Sequence, residues 1–253
     1  MLDRILDATR ERVADLRTRR AAVMEKAEAA APPPSFEDAL SRPGLAVIAE
    51  IKRRSPSKGD LAMDLDAVEQ ARRYATGGAA ALSVLTEPVF FAGHPEDLAA
   101  ARETTGLPIL RKDFVIESIQ IWEARAMGAS AVLLIAAALT PNELAALLDD
   151  AGRAGLGALV EVHTIDEAKL SVDLGARIVG VNNRDLASFE VDLTTAEDIA
   201  PFLSDASVTV AESGIHSRIE AMRMAAAGYD AVLVGEALVR SADPSSLIRE
   251  IAG

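Results

Sequence analysis

The chain contains no cysteine, and its three histidines, His94, His163 and His216, lie far apart with neither HxxxH nor HxH spacing. Disulfides, thiolate nucleophiles and Cys-ligated metals are excluded, and a histidine-built metal site has no spacing to support it. Basic residues are also scarce: 26 Lys and Arg stand against 39 Asp and Glu, a formal charge of −13. That balance argues against nucleic-acid partners drawn by long-range attraction, although a local basic pocket can still hold a phosphate. No apolar run approaches a membrane span, and the opening Met1-Leu2-Asp3-Arg4-Ile5-Leu6-Asp7 lacks a signal-peptide apolar region. A cytoplasmic protein with no membrane partner is expected.

What is present is a repeat. From Leu2 to about Lys26, apolar residues recur at Ile5, Leu6, Val13, Leu16 and Val23 among charges, the pattern of an amphipathic helix. Ala29-Ala30-Ala31-Pro32-Pro33-Pro34 ends it, and Ser35-Phe36-Glu37-Asp38 reads as a fresh helix start. After Gly44, short apolar strands alternate with helical stretches: Ala46–Lys52, Ala81–Thr86, Leu107–Lys112, Ala131–Ile135, Ala158–Val162, Ile178–Asn182, Val208–Glu212 and Ala231–Val234. Helical patterns at Leu65–Thr76, Ser118–Met127, Pro141–Ala154 and Ser217–Ala227 lie between them, with Gly77-Gly78, Gly128, Gly175 and Gly228 as caps. Eight strands alternating with helices predict one (β/α)8 TIM barrel over residues 1–253, with residues 1–44 as an N-terminal helical extension covering one end of the core. A doubly wound sheet is the other candidate, but no GxGxxG follows the first strand.

In such a barrel, functional groups gather at the carboxyl ends of the strands. Side chains alternate along a strand, so Ile48, Glu50 and Lys52 share one side of an otherwise apolar segment. A structural ion pair would explain that stretch alone. The pattern recurs, however, at Thr86-Glu87, Arg111-Lys112-Asp113, Glu161-His163, Asn182-Asn183-Arg184, Glu212-Ser213-Gly214 and Gly235-Glu236, while the fourth strand ends blandly in alanines. Polar groups at nearly every strand end point to one active-site mouth. Ser213-Gly214 and Gly235-Glu236 follow the seventh and eighth strands, where barrels hold phosphate, with Ser55 as a further contact. A phosphorylated small molecule is the implied partner. Lys52, Lys112 and Glu161 are the candidate proton donors and acceptors, with a lysine pKa lowered by desolvation or a second cation and a glutamate able to hold a proton near neutrality. Asn182 offers neutral hydrogen bonds. Arg184 reads more readily as a loop ion-pair partner of Asp185 than as a catalytic group, and His163 and His216 read as loop or helix-start hydrogen bonders.

Glu50-Ile51-Lys52-Arg53-Arg54-Ser55-Pro56-Ser57 resembles the signature of the indole-3-glycerol-phosphate synthase family. Leu110–Phe114, Leu159–His163, Gly180–Leu186, Glu212–Ile215 and Val234–Leu238 are similar in the same way, so the likeness covers almost the whole chain. It departs at Phe90-Phe91-Ala92-Gly93-His94, where Phe-Phe followed by Gly-Gly-Ser is the family pattern. The resemblance implies a carboxy-lyase of tryptophan biosynthesis, acting without metal or organic cofactor as a monomer or weak homo-oligomer. It also implies Lys112 as general acid, Glu161 in later proton transfers, Lys52 on the substrate carboxylate and Glu50 orienting Lys52. Asn182, Arg184, Glu212, Ser55 and Phe114, with Phe90 or Phe91, would contact substrate. Ser213, Gly214, Gly235 and Glu236 would hold phosphate, Glu236 through its N–H. An aldose–ketose isomerase, a Schiff-base aldolase working through Lys112, and a non-catalytic phospholigand sensor are the rival readings from the residues.

Overall fold

A computed structural model describes residues 1–185 and 188–253; Leu186, within one of the motifs above, lies outside the described residues. Eight parallel strands close into a barrel: β1 (Ala46–Ile51), β2 (Ala81–Leu85), β3 (Ile109–Lys112), β4 (Ala131–Ile135), β5 (Gly157–Val162), β6 (Ile178–Asn182), β7 (Val208–Glu212) and β8 (Ala231–Val234). Each pairs with its successor, and β8 returns to β1 with Ala46 opposite Ala231 and Ala49 opposite Val234. Strand positions read from sequence are met to within two residues at either end, because runs of Val, Ile, Leu and Ala buried on both faces define them.

Alternation along the strands builds two apolar layers. Val47, Ala49 and Ile51 of β1 face outward into the shell between barrel and helices, with Leu82, Val84, Val160 and Val232. Ala46 and Ile48 face inward with Leu110, Leu133, Leu159, Ile178 and Val210. Within that interior, Ile48, Leu110, Leu159 and Val210 come from alternate strands, the arrangement of side-chain layers that fills a small barrel.

The N-terminal extension differs from the single long helix expected. It is two helices, α1 (Leu2–Thr18) and α2 (Arg20–Ala29), broken at Arg19 (φ −105°, ψ 15°). Both pack against the helix Ser118–Ala126, with Val13, Leu16 and Val23 sharing an apolar cluster with Ile119. The break lets two short faces follow the curved outer shell. The third helix, α3 (Phe36–Leu40), starts where the sequence indicates: the Ser35 hydroxyl accepts a hydrogen bond from the Asp38 N–H at 3.0 Å. Phe36 and Leu40 then close the amino-terminal end of the barrel core. Among the described residues, no helix is long and apolar enough to cross a membrane.

Candidate active site

The next layer up the barrel, above Ile48, Leu110, Leu159 and Val210, consists of Glu50, Lys112, Glu161 and Glu212. Each stands two residues further along its strand and so points the same way. Lys112 Nζ donates to Glu161 Oε2 at 2.7 Å and to Glu212 Oε2 at 2.9 Å. Beside them Lys52 Nζ donates to Glu50 Oε1 at 2.5 Å. The three carboxylates are only 2–3 % exposed. Desolvating so much charge is tolerated only where the charges face one another.

The electrostatics differ from the sequence expectation. The charged groups that act on Lys112 are carboxylates. Burial alone would lower its pKa, but Glu161, Glu212 and Glu50 outweigh burial and hold the ammonium well above the ordinary lysine value. Glu161, also buried, is nevertheless pulled below its ordinary value by Lys112, His163 and a hydrogen bond from Asn182. Glu212 is the carboxyl that keeps a proton near neutrality: burial, with repulsion from Glu161 and Glu50, pushes it up to about 7 against the pull of Lys112. Its Oε1 is buried without a hydrogen-bond partner.

Small residues make room for this layer. A Cβ added at Gly180 on β6 would lie 2.3 Å from Glu212 Oε1, and one at Gly235 would lie 2.5 Å from Glu50 Oε1 and 3.1 Å from Lys52 Nζ. Gly235 has φ −119°, so space rather than an unusual backbone requires glycine there. Ser213 and Gly214 do adopt left-handed backbone, at φ +65° and +81°, turning the chain sharply after β7. The helix Glu236–Arg240 starts directly after Gly235, and the Glu236 carboxylate pairs with Arg240 at 3.2 Å, which leaves its N–H end for the cavity.

Asn182 ties these parts together. Its Nδ2 donates to Glu161 Oε1 at 3.1 Å, while its Oδ1 accepts from Ser213 Oγ at 2.8 Å and from the Arg184 N–H at 3.0 Å. The Arg184 guanidinium donates to the Phe189 carbonyl at 3.0 Å and thereby braces the loop after β6. Glu50, Lys52, Ser55, Lys112, Phe114, Glu161, Asn182, Arg184, Glu212, Ser213, Gly214, Gly235 and Glu236 border one cavity of about 190 Å³, whereas the strand-end residues Thr86, Glu87, Arg111, His163 and Asn183 do not. Phe91 and Phe114 face it with ring centres 6.1 Å apart. Phe90 turns away, under the guanidinium of Arg4 on α1.

Several further residues line the cavity, among them part of the N-terminal extension, whose share in closing a site the sequence allows. Leu133 and Ile135 of β4, the strand that ends blandly, form an apolar wall. Met1, Leu2 and Ile5 bring α1 over the mouth. Asp113 fixes that docking: Arg12 of α1 reaches its carboxylate at 2.8 and 3.1 Å, joined by Thr86 at 2.8 Å and by Arg111. In the loop after β2, the Glu87 carboxylate gathers the N–H groups of Val89, Phe90 and Phe91 at 2.6–3.1 Å. Ala92 there has φ +51°, a conformation that suits glycine. No group of three His, Asp or Glu side chains placed to hold a metal ion occurs among the described residues.

Residues 2–251 match the family described as indole-3-glycerol phosphate synthase. Indole-3-glycerol phosphate synthase 2 of Streptomyces coelicolor is 50% identical over 92% of this chain and 90% of its own length. The indole-3-glycerol phosphate synthase of Rhodococcus opacus is 48% identical over 99% of this chain and 94% of its own. Among solved structures, 3-hexulose-6-phosphate synthase superposes with a TM-score of 0.67 at 16% identity, over 82% of this chain and 98% of that one. Thiamine phosphate pyrophosphorylase from Pyrococcus furiosus gives 0.63 at 19% identity, over 86% and 96%. At such identities the shared property is the barrel.

Proposed function

The chain belongs to the indole-3-glycerol phosphate synthase family, and from that premise we infer how its charged layer divides the work. The protein is an indole-3-glycerol-phosphate synthase, a carboxy-lyase of tryptophan biosynthesis. It closes the ring of 1-(2-carboxyphenylamino)-1-deoxyribulose 5-phosphate and releases CO2 and water to give indole-3-glycerol phosphate. The observation that carries the assignment of roles is Lys112, an ammonium held between Glu161 and Glu212 at the centre of the mouth.

The aromatic carbon bearing the carboxylate attacks the ketone carbon, and negative charge grows on the ketone oxygen. Lys112 meets that oxygen with a proton. An alkoxide is more basic than any lysine, so a strongly held ammonium suits this step and also lowers its barrier electrostatically. Loss of CO2 discharges the iminium that cyclisation leaves, so no external electron sink is required. In the dehydration, Glu161 takes the proton released from substrate, and Lys52, which first holds the substrate carboxylate, supplies the proton that leaves with the hydroxyl. Glu50 orients Lys52, and Asn182 orients Glu161. Ser213, Gly214, Gly235 and the Glu236 N–H hold phosphate, with Ser55 nearby, while Phe114 and Phe91 stack on the aromatic ring. Folding a flexible substrate so that its ring reaches its own ketone supplies much of the rate through orientation.

The same geometry weighs against a Schiff-base aldolase, whose lysine must be neutral to attack a carbonyl; Lys112 is held charged. Cytoplasmic location and a monomeric or weakly associated state belong to this reading and are checked by fractionation and gel filtration. The direct test mixes purified protein with the carboxyphenylamino-deoxyribulose phosphate in buffer with chelator. Growth of indole absorbance is the expected result. Binding without turnover would favour a phospholigand sensor, and absence of binding would remove the phosphate site.

A further inference from the structure

Two phenylalanines stand side by side after β2, yet only one of them reaches the cavity. Phe91 lines the mouth, with its ring centre 6.1 Å from that of Phe114. Phe90 lies outside it, with the guanidinium of Arg4 at 5.9 Å from its ring centre. Val89, just before them, is exposed to solvent. Three successive side chains thus take three directions. Residues 86–94 form neither a strand nor a helix of the barrel, so no regular element imposes those directions.

Glu87 does. It stands two residues past the end of β2 and is fully buried, although it does not border the cavity. Its Oε1 accepts the Val89 N–H at 3.0 Å, and its Oε2 accepts the N–H groups of Phe90 at 2.6 Å and Phe91 at 3.1 Å. Burying a carboxylate is costly unless its oxygens are met, and successive N–H groups of one short loop meet them here. Both peptide groups that flank Phe90 are aimed at the same oxygen. Neither can rotate without losing a bond, so the directions of Phe90 and Phe91 are fixed together. The Glu87 carbonyl closes the loop by accepting the Gly93 N–H at 2.8 Å. A Cβ at Gly93 would run into the Leu85 carbonyl, which keeps that end of the loop tight as well.

We propose that Glu87 is a positioning residue of the substrate site, fixing which of the two phenylalanines faces the cavity and so setting the wall on which the aryl ring is laid; this rests on the stacking role assigned to Phe91 above. Glu87 acts through the loop backbone and touches no substrate. The other half of the wall is built by the same device. The Phe114 N–H donates to Asp113 Oδ1 at 2.8 Å, and its carbonyl accepts from Gln120 Nε2 at 2.8 Å. Each phenylalanine of the wall thus has its backbone held by a buried carboxylate, Asp113 for Phe114 and Glu87 for Phe91. Stacking on the ring is made before ring closure and during it alike, so its loss falls on KM more than on kcat.

The test measures KM and kcat with the carboxyphenylamino-deoxyribulose phosphate, and the inhibition constant of inorganic phosphate. The variants are Glu87→Ala, Glu87→Gln, Phe91→Ala and each Glu87 substitution combined with Phe91→Ala. Glu87→Ala is expected to raise KM roughly 3- to 10-fold, the worth of one aromatic contact, with kcat within about 2-fold of the parent and phosphate inhibition unchanged. Glu87→Gln keeps the bulk and one acceptor oxygen, and is expected to raise KM less; it carries the test if Glu87→Ala fails to fold. In the Phe91→Ala background either Glu87 substitution is expected to add little, since no ring is left to misplace. Parent-like KM in the Glu87 variants overturns the proposal, as does a loss confined to kcat. A parallel rise in KM and in the phosphate inhibition constant would mean a general loosening of the mouth, and additive costs would mean that Glu87 does not act through Phe91; either overturns it. If the parent itself makes no indole, the functional assignment fails first, so the two failures are distinguishable.

Discussion

Odd and even strands of the barrel contribute different things to the mouth. β1, β3, β5 and β7 supply the charges: Glu50, Lys112, Glu161 and Glu212. The segments of β4, β6 and β8 supply space and neutral contacts: the apolar wall Leu133 and Ile135, the hydrogen bonds of Asn182, and the vacancies beside Gly180 and Gly235. A buried carboxylate needs a partner on one side and a neighbour without a side chain on the other. The barrel meets both needs by alternating them around its circumference.

Removing the cation tests the charged half most severely. Lys112→Met is expected to reduce kcat by about 10³-fold or more, because both the proton and the electrostatic stabilisation vanish. Phosphate affinity, which we assign to other strand ends, is expected to survive, and isothermal titration with substrate or product would measure it. Near-parent turnover would refute the assignment.

Filling the space tests the neutral half. Gly180→Ala pushes a methyl group into Glu212, and Gly235→Ala pushes one into Glu50 and Lys52. Each is expected to cost about 1–3 kcal/mol in denaturant unfolding and roughly 10- to 100-fold in kcat/KM. If the alternation is correct, the stability cost of Gly180→Ala shrinks once Glu212 is also replaced by Ala, and a double-mutant cycle measures that coupling. Additive effects would separate the glycine from the carboxylate.

The two buried glutamates beside Lys112 also have opposite pH signatures. Glu212 has a native pKa of about 7 against an unfolded value of 4.5. A raised pKa contributes stability that is full below 4.5 and is lost as pH rises to about 7. Glu161 is depressed, so its contribution is present above 4.5 and is lost as pH falls below that value. Melting temperature is therefore expected to decline between pH 5 and 7.5, and Glu212→Gln is expected to flatten that decline. An unchanged slope would place the titrating group elsewhere.

The smallest effect concerns the loop after β2. Ala92 holds a left-handed backbone, φ +51°, which a residue without a Cβ adopts more readily. Ala92→Gly is expected to stabilise the protein by about 0.5–1 kcal/mol, since relief of the Cβ clash exceeds the added unfolded-chain entropy. Thermal denaturation would register it, with little change in kcat.

Much of this layout is legible in the residues because a strand has period two. Ile48, Glu50 and Lys52 had to share a face, and buried runs of Val, Leu and Ile had to be strands. The mouth residues follow from topology, since parallel strands bring all their carboxyl ends together. What sequence hides is set by distance in space. Nothing near Glu212 in the chain shows that Glu161 and Glu50 raise its pKa, and nothing near Gly180 shows that a carboxylate 32 residues later needs the room. The helix break at Arg19 has no glycine or proline to mark it; it arises from the surface on which α1 and α2 lie. Arg12 and Asp113 are a further case, an ion pair spanning 101 positions.

The pairing of β8 with β1 has a consequence for how the molecule is made. Synthesis proceeds from the amino terminus, so β1 emerges early and keeps one unpaired edge until Ala231–Val234 leaves the ribosome. Glu50 and Lys52 lie on that seam, next to the vacancy at Gly235 that the last strand brings. The nascent chain can assemble neighbouring strand–helix units in order, but Glu50 and Lys52 gain their final wall only at ring closure of the barrel itself. The mouth around Glu50 and Lys52 is thus completed by a pairing of Ala46 with Ala231, 231 − 46 = 185 positions apart, a separation of the kind that slows folding.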